Sequence, residues 1–176
     1  MRREAPKLCV CSDTSLHNTR DGIFYQGWHD YQTLLVKALA PLSSAQLMLG
    51  AEPRPRTISG IVLHIIGVRA RWFHDLMEVG DVEFAELGTW DRKGAPTRDA
   101  TELVNGLEIT WRVMQEALAN WTLEDMLFSY KGEPGEGEPE IFTRQWVVWH
   151  LIEHDLHHGG EVSLLLGMHG LEAPAL

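Results

Sequence analysis

Apolar residues recur three and four positions apart along most of the chain, the spacing that places them on one face of an α-helix. This spacing predicts a first helix over about 22–40, a second over about 57–79, a third that begins after Asp99 and a last one over about 143–167. The third helix carries the cleanest stripe, formed by Val104, Leu107, Trp111, Met114, Leu118 and Trp121. Four long amphipathic helices without a convincing series of strands predict an all-α fold, a four-helix bundle.

Glycine, proline and polar residues interrupt these stripes and predict the connections between the helices. Ser43 with Gln46 three positions later is a capping-box pattern, which predicts a short helical turn over 43–50. Residues 80–98 are polar and predict a long connection, whereas residues 131–140 (KGEPGEGEPE) predict a flexible flap. We therefore expect the helices to be joined by polar loops.

Composition is typical of a single globular domain. Of the 176 residues, 44% are apolar and 23% are charged, which is ordinary for a chain of this size. We assign residues 1–20, which lack periodicity, to a mobile N-terminal extension and residues 21–176 to one helical bundle domain. Cys9 and Cys11 lie in the extension, one residue apart, where they are poorly placed to staple a core. A disulfide scaffold is therefore not expected, and a reducing cytoplasm is favoured.

Charge and hydropathy argue against two classes of partner. The formal net charge of −10 argues against nucleic-acid binding, which draws on clustered lysine and arginine. No apolar run approaches the roughly 20 residues that a membrane span needs, and no secretory signal pattern opens the sequence. We therefore expect a cytoplasmic protein without nucleic-acid or membrane partners.

The last predicted helix carries four of the nine histidines of the chain. At about 100° per residue, His150, His154 and His158 share one face with Glu161, whereas His157 points about 60° away from the His154 direction. A histidine pair four residues apart can close two coordination sites on one divalent ion, because both rings leave the helix in the same direction. The stripe predicts either a metal site that needs a third ligand from elsewhere or a histidine-rich solvated face.

Glycines accompany the histidines on two helices. Gly159 and Gly160 lie inside the last helix, where each costs about 1 kcal/mol relative to alanine, so they predict a close neighbour or a local bulge. On the second helix, Gly60 and Gly67 flank His64 and leave room for a close approach. Taken alone, a single helical histidine such as His64 is more often a hydrogen-bonded core residue than a ligand.

Two known metal arrangements can be compared with these positions. A ferritin-like di-iron site needs Glu-x-x-His on two helices, and the chain has no such pattern. The sequence from His150 to His154 matches the H-x-x-E-H motif of the inverzincin hydrolases, in which both histidines hold zinc and Glu153 is the base. Only 22 residues follow this motif, which leaves little chain for a distant third ligand.

His64, together with the late motif HDLHHGGE at 154–161, resembles the DinB/YfiT group of metal-dependent bundle proteins, whose late motif is typically H-x-x-x-H-R-G-Q. The resemblance covers about residues 22–170. It implies a four-helix bundle of up-down-down-up type and a divalent metal ion held by His64, His154 and His158, with open positions for water.

The same resemblance implies roles for the residues around these ligands. It implies that His150 is adjacent to the metal without binding it, unlike the inverzincin arrangement. Gly159 stands where the group commonly has arginine, and Glu161 where it commonly has glutamine. Glu161 would then orient a ligating imidazole through the free N–H of its ring.

Function follows only from this resemblance. Zinc, nickel, iron and manganese all suit imidazole ligands. Members of the wider superfamily resemble transferases that use a low-molecular-weight thiol of the bacillithiol or mycothiol type, so we expect a small-molecule thiol and an electrophile as substrates. The alternative is a non-catalytic, stress-related metal- or ligand-binding bundle protein. Family members are often homodimeric, and we expect a homodimer here. No catalytic residue of the chain itself is identified.

Overall fold

The computed structural model describes residues 25–51, 56–131 and 141–174. In chain order, its elements are α1 (Gln26–Leu39), α2 (Ser44–Leu47), α3 (Ile58–Ala70) with a π-helical segment (Arg71–Leu76), α4 (Val82–Leu87), α5 (Ala100–Asn120), a 3-10 turn (Asp125–Leu127), β1 (Ser129–Lys131), β2 (Ile141–Thr143) and α6 (Arg144–Met168). The protein is mostly helical, as predicted. The N-terminal extension with Cys9 and Cys11 and nearly all of the predicted flap lie outside the described residues.

Side-chain caps fix where the helices begin. The side chains of Thr57, Asp99 and Thr143 each accept a hydrogen bond from the backbone N–H three residues later, and the Glu102 carboxylate accepts one from the Asp99 N–H. The capping box that begins at Ser43 also forms and opens α2. These bonds satisfy backbone donors that have no partner within the helix. The helix starts predicted near 43, near 57, after Asp99 and near 143 are therefore confirmed, whereas the start predicted near 22 lies outside the described residues.

The predicted connection over 80–98 is wrong in part, because it contains the helix α4. Asp81 accepts a hydrogen bond from the Phe84 N–H and so caps this helix, while Phe84 and Leu87 are buried. A helix of six residues places too few apolar side chains in register to give a periodic signal. Local capping and burial therefore form an element that periodicity does not reveal.

Two further features depart from a plain bundle of α-helices. β1 and β2 form a two-stranded antiparallel sheet in which Tyr130 lies opposite Phe142. The second predicted helix changes geometry after Ala70, where α3 gives way to the π-helical segment. π-helical turns carry bonds from residue i to i+5 and are frequent at functional sites. None of the helices in the described ranges is long and apolar enough to cross a membrane.

The core lies where four long helices meet. α3 packs against α5 and α6, and α1 packs against the same two helices. Ten of the thirteen residues of α3 are buried, so this helix forms the centre of the fold. The shared apolar core includes Leu35, Leu39, Ile61, Ile65, Leu107, Met114, Leu151 and Val162. Removal of this apolar surface from water is the main favourable contribution to folding.

A buried ion pair joins these helices. The side chains of Arg69 (α3) and Asp155 (α6) are 1% and 0% exposed, with Nη2 2.6 Å from Oδ2. Trp28 of α1 donates to Asp155 at 2.7 Å, and Arg69 donates to Gln32 of α1 at 2.9 Å and to Thr110 of α5 at 3.4 Å. Burial alone would raise the pKa of Asp155, but the Arg69 guanidinium and these hydrogen bonds hold that pKa below its ordinary value. One polar network therefore connects all four long helices.

Candidate metal centre

Three histidine side chains from two helices converge beside this network. His64 comes from α3, and His154 and His158 come from α6; one ring nitrogen of each lies within 4.8 Å of the others. The ring centroids are 5.0 Å apart for His64 and His154, 4.9 Å for His64 and His158, and 4.4 Å for His154 and His158. Three imidazole nitrogens at this spacing surround a point that a single divalent ion can occupy.

The helices explain why these rings meet. His154 and His158 lie one turn apart, so α6 directs both from the same face. α3 packs against α6 and brings the middle of its own length, where His64 lies, opposite that pair. The exposed fractions of the three side chains are 25% for His64, 11% for His154 and 10% for His158. Solvent therefore reaches the cluster mainly beside His64.

His154 shows whether this cluster suits a cation. Both of its ring nitrogens are buried, and neither has a hydrogen-bond partner among the described residues. The Asp155 carboxylate lies 3.9 Å from Nδ1, which is beyond hydrogen-bonding distance. Buried polar atoms are nearly always paired, and an unpaired one calls for an explanation such as an ion or a water. A cation shared with His64 and His158 would give one of these two nitrogens its partner, so the three residues fit a divalent metal ion.

A carboxylate holds His64 from the side away from the cluster. The Nδ1 atom of His64 lies 2.9 Å from Oδ2 of Asp91. The Arg71 guanidinium donates two hydrogen bonds to the same carboxylate, from Nη1 at 2.7 Å and from Nη2 at 2.9 Å. Burial raises the pKa of Asp91, but the Arg71 and His64 bonds outweigh it and lower that pKa. An ionised Asp91 accepts the Nδ1–H bond, which leaves the Nε2 lone pair of His64 for a metal.

Gly67 admits this carboxylate. A β-carbon at Gly67 would lie 2.8 Å from Oδ1 of Asp91 and 2.9 Å from Nη1 of Arg71, both too close. A β-carbon at Gly60 would meet only Oγ1 of Thr57, at 3.4 Å. The prediction that small residues beside His64 admit a close neighbour is therefore confirmed at Gly67, where the neighbour is Asp91.

Glu161 holds His158 in a similar way. Its Oε2 atom lies 2.8 Å from Nδ1 of His158, so the Nδ1–H donates to the carboxylate and Nε2 is left for a metal. Burial lowers the pKa of both His64 and His158, and the two carboxylates only partly oppose this effect. Both rings are thus neutral at neutral pH, which is the form that binds a metal ion.

His150 lies beside the cluster in aromatic surroundings. Its ring centroid is 6.2 Å from that of His154, and the ring stacks on Trp146 at 5.0 Å with an angle of 9° between the planes. Burial lowers the pKa of His150. No group of ligand atoms among the described residues joins His150 to His154 at metal-binding spacing, and Glu153 is exposed. The structure thus does not assemble the inverzincin arrangement.

A second set of ligand atoms overlaps the first. His157, His158 and Glu161 also lie within 4.8 Å of one another, but the His157 side chain is 68% exposed. This set shares His158 with the cluster and uses the carboxylate that already binds the His158 ring. We therefore do not treat it as a separate site, and His157 is not among the proposed ligands.

The two glycines that follow these histidines differ. A β-carbon at Gly159 would collide with the Tyr31 hydroxyl of α1, which confirms the predicted close neighbour at that position. At Gly160 the prediction is wrong, because nothing lies within 4 Å of such an atom and α6 continues without a bulge. Gly159 is therefore needed for packing of α1 on α6, whereas Gly160 is not.

Asp91 and Arg71 are the site residues that sequence analysis misses. Asp91 follows α4 in a polar loop, where periodicity carries no information. Gly67 signals that something approaches α3, but no feature of the sequence identifies the residue that does so. The structure supplies that residue through the fold of the loop after α4.

Comparison with known proteins agrees with this architecture. A family model described as the DinB family matches residues 15–176. A DinB-like protein from Bacillus cereus ATCC 10987, known from a crystal structure, has a similar fold with a TM-score of 0.67. The two chains are 23% identical, and the match covers 91% of this chain and 99% of that one. A search of the curated proteins finds no significant match.

Proposed function

The chain belongs to the DinB family, and on that premise we propose that His64, His154 and His158 hold one divalent metal ion. The observation that carries this proposal is the His154 ring, whose buried nitrogens have no hydrogen-bond partner among the described residues and which lies beside two other imidazoles. Three imidazole ligands leave coordination positions open, as catalytic rather than structural metal sites do. Zinc, nickel, iron and manganese are the candidates, because imidazole binds all of them.

The residues around the ligands prepare them for this role. Asp91 and Glu161 each hold a proton on Nδ1, of His64 and His158 respectively, so both rings offer Nε2. Carboxylates in these positions fix the ring orientation and increase the basicity of the ligand. The greater exposure of His64 gives a small molecule its route to the centre.

We propose that the protein catalyses transfer of a low-molecular-weight thiol to an electrophile. A bound divalent ion would lower the pKa of a thiol that coordinates it, so that the thiolate is present at neutral pH. In the reaction class, the sulfur forms a bond to an electrophilic carbon while a leaving group departs with its electron pair. The thiol proton passes to solvent. The non-catalytic alternative, a metal- or ligand-binding bundle protein, is the outcome if no thiol binds.

Metal content tests the ligand set. Purified protein should contain one divalent ion per chain by elemental analysis, and alanine at His64, His154 or His158 should each abolish that content. His157→Ala is the matched control, since this residue lies on the same helix but is 68% exposed. On the inverzincin arrangement, His150→Ala would empty the site and His158→Ala would leave it filled. Full occupancy in His64→Ala would refute the proposed centre.

Cobalt substitution tests the reaction class. Thiolate coordination to cobalt adds an intense near-ultraviolet charge-transfer band, so a cellular thiol that binds the ion is seen directly. We expect the band with at least one low-molecular-weight thiol. A fully loaded protein that shows no band with any such thiol would refute thiol transfer and favour the non-catalytic alternative.

We also propose the up-down-down-up order of the family for the four long helices. Along α3 and α6 the contacts run in opposite directions, since Arg69 meets Asp155 and the later Trp72 meets the earlier Trp146. This supports antiparallel packing of these two helices. Trp28 meets Asp155 and Tyr31 meets Gly159, which supports parallel packing of α1 with α6. Ile66 meets Gly106 and Arg69 meets Thr110, which supports parallel packing of α3 with α5.

A further inference from the structure

Five rings follow one another along a single face, each four residues after the last. They are Phe142 at the end of β2, then Trp146, His150, His154 and His158 on α6. Successive ring centroids are 4.7, 5.0, 6.2 and 4.4 Å apart. The last two rings belong to the proposed metal centre, and the first three extend away from it. The metal ligands are thus one end of a longer aromatic surface.

A sixth ring reaches this surface from α3. Trp72, in the π-helical segment, lies 5.5 Å from Phe142, 5.8 Å from Trp146 and 5.2 Å from His150 between ring centroids. Its immediate neighbour in sequence, Arg71, instead binds Asp91 behind His64. The π-helical segment therefore supplies one residue to the metal centre and the next to the aromatic surface. We call Trp72, Phe142, Trp146 and His150 the aromatic wall.

The rings of the wall cover one another's faces. His150 stacks on Trp146 with 9° between the planes, and Phe142 lies against the same indole with an angle of 34°. Trp72 lies 5.8 Å from the same indole with an angle of 56° between the planes, so three rings pack against Trp146. Trp146 is nevertheless 42% exposed, so part of the indole remains open to a ligand although His150 stacks on it.

We propose that the aromatic wall binds an aromatic ring carried by the electrophilic substrate, beside the metal centre. This inference rests on the proposed function and names the substrate class of the same site. The wall ends one ring away from His154, so a ring held on it would bring an attached electrophilic carbon towards the open positions of the centre.

Ring geometry favours an aromatic group over a cation. Aromatic rings carry negative charge on their faces and positive charge on their edges, so an exposed edge attracts the face of another ring. A cation needs an open ring face, and His150 already stacks on one face of Trp146, with Phe142 tilted against the same indole. An aliphatic group would gain burial but not the edge-to-face attraction.

Binding of small, unreactive probes tests the wall without catalysis. Dissociation constants of N-benzylacetamide, N-(cyclohexylmethyl)acetamide and tetramethylammonium are measured by NMR titration of zinc-loaded protein. We expect the benzyl probe to bind about threefold to tenfold more tightly than the cyclohexyl probe, the range that aromatic pairing supplies beyond area burial. Tetramethylammonium should bind most weakly.

Trp146→Leu should remove this preference. The matched control is Trp149→Leu, because Trp149 lies on the same helix, is 56% exposed and contacts no ring among the described residues. Zinc content should stay unchanged in both variants, and Trp146→Phe should retain part of the preference. Equal effects of the two leucine variants would overturn the proposal. So would a benzyl probe that fails to bind at millimolar concentration, or a cation that binds best.

Two further measurements distinguish failure of the aromatic wall as a substrate site from failure of the proposed thiol transfer and from a role of the wall in oligomerisation. A cobalt–thiolate band without any aryl preference would overturn the wall alone, whereas absence of the band would overturn thiol transfer. Sedimentation of Trp146→Leu should match that of the unmodified protein. A change in its oligomeric state would instead assign the wall to a contact between two copies and overturn the substrate role.

Discussion

Asp91 and His64 are 27 positions apart in the chain and are joined by a hydrogen bond of 2.9 Å between Oδ2 and Nδ1. His64 is the one ligand candidate that α3 provides, and it has no partner histidine a turn away on its own helix. The loop after α4 therefore supplies its orientation, through a carboxylate that Arg71 holds at two points.

Asp91→Asn should weaken zinc binding. Loss of a carboxylate that orients a ligating histidine typically costs about tenfold to a hundredfold in metal affinity. Competition with a chromophoric chelator gives the affinity, and the far-ultraviolet spectrum should show that the fold is kept. Asp75→Asn is the control, since Asp75 pairs with His74 and is 63% exposed. An affinity that is unchanged in Asp91→Asn, or equally reduced in both variants, would contradict this role.

Gly67→Ala should weaken zinc binding although the substitution leaves every ligand in place. The added methyl group would displace Asp91 or Arg71, which lie 2.8 and 2.9 Å from its position. Gly60→Ala should leave the affinity unchanged and raise the free energy of unfolding by up to about 1 kcal/mol, because alanine favours helix interiors. The same chelator competition and a urea titration measure both effects. Wild-type affinity in Gly67→Ala would show that the carboxylate does not depend on that space.

Adjacent glycines on α6 should respond in opposite directions to alanine. Gly159→Ala forces a methyl group against the Tyr31 hydroxyl, and overpacking of this kind typically costs about 1–3 kcal/mol. Gly160→Ala meets nothing within 4 Å and should stabilise the helix by up to about 1 kcal/mol. Urea unfolding of the metal-free proteins separates packing from metal binding. The same sign of change in both variants would contradict the contact.

The Arg69–Asp155 pair should make stability depend on acid. The pKa of Asp155 is lower in the folded protein than in the unfolded chain. The ionised carboxylate therefore contributes fully to the free energy of unfolding above the unfolded pKa of about 3.9, and this contribution is lost as the pH falls through the folded pKa. The difference in free energy of unfolding between wild type and Asp155→Asn should therefore be largest above about pH 4 and shrink below it.

Urea titrations of metal-free protein at several pH values measure this difference. Arg69→Met alone leaves a buried carboxylate without its cation and should cost about 3–5 kcal/mol at neutral pH. Combining it with Asp155→Leu should recover part of that loss, because the pair is then replaced by apolar groups. A wild-type advantage that grows on acidification would have the wrong sign for a depressed carboxyl pKa.

Sequence patterns predicted the parts of the fold that depend on near neighbours. The capping box at Ser43, the helix start at Asp99 and the stripe of α5 involve residues three or four positions apart, and all of them form. The grouping of His154 with His158 is of the same kind, because one helix turn brings them together. Only the family resemblance, however, indicated His64 as their third partner.

Contacts between distant segments could not be predicted in this way. Asp91 meets His64, and Arg69 meets Asp155 across 86 positions, through the packing of separate elements. A single sequence gives the residue types but not which of them will face each other. Gly67 and Gly159 are intermediate cases, since each glycine signals a close approach without naming the residue that approaches.

The ion pairs around the centre also set its electrical balance. Arg71 neutralises Asp91, and Arg69 neutralises Asp155, so these two carboxylates do not offset the charge of an ion bound between the histidines. Imidazole ligands bring no negative charge of their own, so a divalent ion held there would keep part of its positive charge. We therefore expect the loaded centre to prefer an anion over a neutral ligand in its open position. Titration of the zinc-loaded protein with chloride, azide and cyanate measures this preference.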